Sequence, residues 1–137
     1  GMFFSSAAGA PVSAVAGSAV LDVIRDEELQ ANAATVGAYL RERLEVLALT
    51  HPLIGIVHGT GLYMGVELVL DRETLAPATA EAAEVCQRML AHGVIIQPAS
   101  ERQNVLKIKP PLTLNISDAD AFVAALNTVL REITDGR

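Results

Sequence analysis

Cysteine occurs once, at Cys86, and tryptophan is absent. A lone thiol excludes an internal disulfide and a cysteine-based metal site, and it suits a reducing compartment. Basic residues are also scarce. Ten Lys and Arg stand against sixteen Asp and Glu, giving a net charge of −6 and a pI near 4.9. So acidic a chain has no general attraction to phosphate backbones, which argues against nucleic acid as a partner. No stretch reaches the ~18 consecutive apolar residues of a membrane span. Charge is missing from Gly1 to Leu21, with Asp22 the first. No Lys or Arg precedes that apolar start, however, and Ser5, Ser6, Gly9, Pro11, Ser13, Gly17 and Ser18 dilute it. A secretion signal is therefore not expected, and the cytoplasm is the default.

What the chain does have is aliphatic surface. It is 51% hydrophobic over 137 residues, with a mean hydropathy of +0.38. That excludes intrinsic disorder. The length fits a single domain over residues 1–137 with a core of its own. The surplus of small aliphatic residues calls for either a large core or a surface that expects a partner.

Hydrophobic periodicity orders the elements. Pro11 suits a first helical position, and Val12, Val15, Ala16, Ala19, Val20, Val23 and Ile24 make a helix apolar almost all round. Asp26 reads as the N-cap of a second helix, with Leu29, Ala33, Val36, Leu40, Leu44 and Leu47 as its buried stripe. Beyond His51-Pro52 the period changes to two. Ile54 to His58 is a short strand, Gly59-Thr60-Gly61 a turn or bulge, and Leu62 to Leu70 a half-buried strand. In that second strand, Leu62, Met64, Val66, Leu68 and Leu70 face one side. Ala82, Val85, Cys86, Met89 and Leu90 mark a further helix, closed by Gly93. Two short strands follow, Val94 to Gln97 and Val105 to Lys109, stopped by Pro110-Pro111. Ser117 reads as the cap of the last helix, with Asp120 completing a capping box. The sum is an α+β fold: a small antiparallel or mixed sheet with helices on one face, preceded by two N-terminal helices.

The usual catalytic constellations are missing. His51, His58 and His92 stand apart from one another and from any metal-ligand spacing, so no metal site is expected. Two places hold chemistry. Ser5 and Ser6 precede a helix start, where hydroxyls and free N–H groups can hold an anion or simply cap a frayed terminus. Lys107 and Lys109, the only lysines in the chain, alternate onto one strand face away from Leu106 and Ile108. They make either a cationic patch for a carboxylate or phosphate, or a solvated face that discourages edge pairing.

Several blocks run in one order along the chain. They are Phe4-Ser5-Ser6-Ala7-Ala8-Gly9-Ala10-Pro11, His51-Pro52-Leu53-Ile54-Gly55, Gly59-Thr60-Gly61-Leu62-Tyr63-Met64-Gly65-Val66-Glu67, Gly93-Val94-Ile95-Ile96 and Asn104-Val105-Leu106-Lys107-Ile108-Lys109-Pro110-Pro111-Leu112. Together they resemble the C-terminal small domain of class III aminotransferases, pyridoxal-phosphate enzymes of fold type I. The pattern is most similar to the branch holding amino-alcohol phosphate phospho-lyases, which also favours Lys at position 107.

The resemblance implies roles. The residue matching Ser6, with Ser5 beside it, binds the cofactor phosphate of the neighbouring subunit, which implies a homodimer with shared sites. The Asn common before the helix proline is Ala10 here, a departure from the pattern. Lys107 stands where many members carry an Arg that grips the substrate carboxylate. A lysine offers a point charge instead of a planar fork, which suits a phosphate, so an amino-group or amino-alcohol phosphate substrate is expected. The lysine that holds the cofactor belongs to the family's large domain, so no catalytic residue is expected in this chain. Alone it should be inactive, with that large pyridoxal-phosphate-binding domain as its partner. The competing expectation is a stand-alone, non-catalytic α+β module for oligomerisation or small-anion binding.

Overall fold

A 30-residue helix, α1 (Ala19–Ala48), leads the chain into the core. The computed structural model describes residues 4–5, 19–60 and 63–136. The expected boundary at Asp26 is not there, and α1 passes through it unbroken. No Gly or Pro interrupts residues 19–36, and Glu27, Glu28, Leu29 and Gln30 are good helix formers, so one helix continues where two were expected. The stretch from Pro11 to Ser18 lies outside the described residues. Ala33, Val36, Leu40, Leu44 and Leu47 form the buried stripe of α1, as their spacing requires. Arg72 closes its end. The guanidinium donates to the carbonyls of Ala48, His51 and Ile54 at 2.5–3.1 Å, satisfying at Ala48 an acceptor that the last helical turn leaves open and tying the helix end to the start of the sheet.

Four strands make the main sheet: β2 (Ile54–Thr60), β3 (Tyr63–Leu68), β5 (Gln97–Ala99) and β6 (Val105–Ile108). Their order is β2-β3-β6-β5, every neighbour antiparallel. β6 thus lies between β3 and β5, which run in the same direction. The register between β2 and β3 shifts between Ile54 and Ile56. A Cβ on Gly55 would stand 2.9 Å from the Val69 methyls, so the glycine lets that side chain turn inward. The strict alternation expected from Leu62 to Leu70 therefore fails at its end. Val69 is fully buried and Leu70 is 53% exposed, the reverse of the expectation. Leu62 itself lies outside the described residues.

A second, two-stranded sheet pairs β1 (Phe4–Ser5) with β4 (Val94–Ile95) in parallel. The expected strand from Val94 to Gln97 is in fact divided, because Ile96 separates β4 from β5 and each joins a different sheet.

Helix α2 (Thr79–Met89) buries Ala82, Val85, Cys86 and Met89. A 3-10 turn over Leu90–His92 follows and carries Leu90 into solvent, while Gly93 ends it with φ 77°. The last helix, α3 (Ile116–Asp135), has its cap two residues before the expected one. Asn115, not Ser117, is the N-cap. Its side chain accepts from the Asp118 N–H at 2.8 Å, and Asp118 accepts from the Asn115 N–H at 3.3 Å. Asp118 thus takes the place expected for Asp120, whose carboxylate accepts from the Tyr39 hydroxyl instead. The three helices and the inner sheet face close one core around Phe122, Leu40, Leu44, Met64, Leu106 and Leu126. The α+β class is as expected.

Candidate functional site

Among the described residues no helix covers the opposite face of the sheet, and the pairing register arranges that face in rows. One row runs Thr60, Tyr63 and then Lys109, next along β6 after the last paired residue. The next runs His58, Gly65, Lys107 and Gln97. A third runs Ile56, Glu67, Val105 and Ala99. The alternation that buries Leu106 and Ile108 turns Lys107 and Lys109 outward, as expected.

Tyr63 joins the two lysines. Its ring is 54% exposed, with the Lys107 ammonium 5.8 Å and the Lys109 ammonium 5.6 Å from its centroid. Cation–ring contacts at exposed positions contribute about 0.5–1 kcal/mol each. Among the described residues no carboxylate forms an ion pair with either lysine. Gly65 stands across from Lys107, and a Cβ there would lie 2.5 Å from the His58 ring and 3.1 Å from a Val105 methyl, so those two side chains cover the glycine. Beyond Val105, the Ser100–Asn104 loop borders a hollow of about 320 Å³ next to Glu67. Asn104 holds that loop, donating to the Leu68 carbonyl at 2.9 Å and accepting from the Ser100 hydroxyl at 3.2 Å.

The remaining sequence candidates separate from this face. Ser6 lies outside the described residues. Ser5 stands in β1, in register with Ile95, and so belongs to the smaller sheet. Its strand reaches the lysine-bearing sheet through β4, which runs by way of Ile96 into β5. His51 is 5% exposed and shares a 2.7 Å hydrogen bond with Asn127, the environment of a satisfied core histidine. Cys86 is buried, and burial pushes its thiol up to about 11, the opposite of an activated nucleophile. Among the described residues no cluster of His, Cys, Asp or Glu can hold a metal, and no helix is long and apolar enough to cross a membrane. Sequence reasoning missed the part played by Tyr63. Its alternation with Met64 was readable, but its place beside the lysines follows from the pairing of β3 with β6, strands far apart in the chain.

The rows of this face and the blocks that build them can be set against known proteins. Residues 5–130 match the family model described as aminotransferase class-III. The chain belongs to that family. It is 46% identical over 125 residues to alanine–glyoxylate aminotransferase 2 homolog 2, mitochondrial, of Arabidopsis thaliana, covering 91% of this chain and 26% of that protein. Among solved structures it resembles a phospholyase from Arthrobacter in complex with phosphoethanolamine, with a TM-score of 0.75 and 33% identity. That match covers 82% of this chain and 26% of the other. An amine transaminase from an uncultivated Pseudomonas species, solved in its pyridoxal-phosphate-bound form, matches with a TM-score of 0.72 and 34% identity, over 82% of this chain and 26% of that one. The chain thus spans about a quarter of the length of the class III proteins it matches. Pyridoxal phosphate is the cofactor of the family's full-length enzymes. The two ammonium groups on the outer face of the sheet suit an anion.

Proposed function

We propose that this chain is the C-terminal small-domain segment of a pyridoxal-phosphate-dependent class III aminotransferase or related phospho-lyase. The observation that carries the reading is the match of residues 5–130 to the family over only a quarter of its relatives' length. The open, lysine-bearing sheet face supports it, because a wall of an active site needs one side free for the rest of the enzyme. When bound, the cofactor supplies the electron sink for chemistry at the substrate carbon next to nitrogen. This chain's residues bind and orient. Lys107 takes the anionic end of an amino-group or amino-alcohol phosphate substrate, and Ser6 with Ser5 binds the cofactor phosphate of a neighbouring subunit. The partners are the large domain of the same enzyme and a second copy of it, in the cytoplasm.

Neither Lys107 nor Lys109 stands in the sequence context of a cofactor-holding lysine, so the chain supplies no such group of its own. Mixed with pyridoxal phosphate and an amine donor, it should give no cofactor–lysine absorbance band and no turnover. Adding the family's large domain as a separate polypeptide should restore both. Turnover by the chain alone would overturn the proposal. Failure to associate with the large domain would restore the stand-alone module.

A further inference from the structure

We propose that the hollow bordered by Glu67, Glu101 and Arg102 is a seat for a zwitterionic headgroup, an ammonium and a carboxylate on one carbon, as in a free amino acid. The idea goes beyond the enzyme-segment reading and does not depend on it. It starts from charges without a partner. Among the described residues, the side chains of Glu67, Glu101 and Arg102 form no ion pair or hydrogen bond, with one another or with any other group. Arg41, Arg43, Arg72 and Arg88, by contrast, are each engaged within the fold. The unpaired charges surround one space of about 320 Å³. One water takes about 30 Å³ in the liquid, so a small molecule has room there.

The fold sets these groups in place. Glu67 comes from β3, and its register with β6 puts it beside Val105, whose half-buried side chain gives the hollow an apolar side. Glu101 and Arg102 come from the loop between β5 and β6. That loop is tied down. Ser100 and Gln103 hold left-handed φ values of 77° and 54°, and the Gln103 side chain donates to the Ser100 carbonyl at 2.9 Å. The Thr79 hydroxyl donates to the Arg102 carbonyl at 2.6 Å, pinning that residue to the start of α2. Such a loop presents its charges with little left to order on binding. Charge then selects the ligand. A lone anion would meet Arg102 but also two carboxylates, and a lone cation would meet the guanidinium. A ligand with both charges satisfies each. The guanidinium fork matches a carboxylate through two parallel hydrogen bonds, and the three donors of an ammonium suit the carboxylates of Glu67 and Glu101. A short aliphatic side chain lies against Val105. Held as an ammonium, the nitrogen keeps no free electron pair, so the seat binds the group and does not react it.

The test titrates the nitrogen-15-labelled chain with L-alanine, acetate and methylammonium at about pH 7, where both ends of the amino acid are charged. The amide signals of Glu67 and of residues 100–105 report binding. L-alanine should shift them with a Kd about tenfold below that of either single ion. Arg102→Gln and Glu67→Gln should each raise the L-alanine Kd about tenfold, while the amide signals of α1 stay in place and show that the fold is intact. Equal Kd values for L-alanine and acetate, shifts that spare these residues, or an unchanged Kd in either variant would overturn the proposal. O-phospho-L-serine, which adds a phosphate to the same headgroup, identifies the source of the ligand. Tighter binding than L-alanine, with the gain lost in Lys107→Gln, assigns the seat to the far end of a molecule that also reaches the lysines; equal binding assigns it to a free amino acid. Failure of these titrations leaves the enzyme-segment reading untouched, and failure to join the large domain leaves the seat standing.

Discussion

On the inner face of the sheet, Met64, Val66, Leu68, Leu106 and Ile108 are sealed beneath the helices. One residue along each strand, the outer face shows Tyr63, Glu67, Lys107 and Lys109 at least partly open to water. The same backbone thus supports two surfaces with different tasks. The inner one gains from close packing of apolar groups, whose burial is worth roughly 25 cal/mol per Å². The outer one holds like charges and an exposed aromatic ring, features that add little to folding. Groups kept where they do not stabilise the chain are candidates for binding. Substitutions on the two faces should accordingly divide into losses of stability and losses of ligand.

Phe122→Ala tests the inner face most severely. Phe122 is fully buried and among the largest sealed side chains, and truncating it should cost about 3–5 kcal/mol in transfer and cavity terms. Urea denaturation should show the midpoint falling. A loss below about 1 kcal/mol would mean that α3 is not the closing element described here.

A more selective test lies at the hairpin, where two glycines separate the surfaces. Gly59 has φ 124°, and a Cβ there would meet the Tyr63 carbonyl oxygen at 2.1 Å. Gly59→Ala should cost about 1–3 kcal/mol and displace Tyr63 from the lysines, since strained backbone and a backbone collision must both be relieved. Gly65→Ala meets the exposed His58 ring, which is free to swing away. That variant should stay near wild-type stability while pushing the His58 ring off the glycine. Equal losses in the two variants, measured by thermal unfolding, would erase the distinction.

Smaller still is the effect expected at the start of α3. Asn115→Ala removes the cap side chain that accepts from the Asp118 N–H and should cost about 1 kcal/mol. Ser117→Ala, one position inside the helix, should cost little. The pair also shows where the sequence is ambiguous. Asn115 followed by Asp118, and Ser117 followed by Asp120, both make capping boxes on paper, and only tertiary placement selects the first.

Other features were legible because they depend on local period. Most of the buried stripes of α1, α2 and α3 (though not Leu29, Leu90 or Ala125), the Gly93 stop and the outward turn of Lys107 and Lys109 all follow from spacing within one element. The joining of two expected helices into α1 was not legible, since Asp26 makes a good cap but also a tolerable interior residue. The inversion of Val69 and Leu70 depends on a cross-strand contact at Gly55. The β1–β4 pair and the approach of Tyr63 to the lysines depend on neighbours distant in the chain, which no local pattern specifies.

The smallest expected effect sharpens the contrast most. Replacing Lys107 and Lys109 together by Gln removes two cation–ring contacts, and it also removes the repulsion between two ammonium groups on one strand face. These terms oppose each other, and both lie at a surface open to water. The double variant should therefore unfold within about 0.5 kcal/mol of the parent chain. Its response to phosphate in a thermal scan should nevertheless vanish, because a ligand stabilises only the folded state that binds it. A parent chain whose midpoint rises with phosphate, beside a double variant of equal basal stability that does not respond, would place the anion on the outer face. A double variant markedly less stable than the parent would instead make the lysines part of what holds the sheet together.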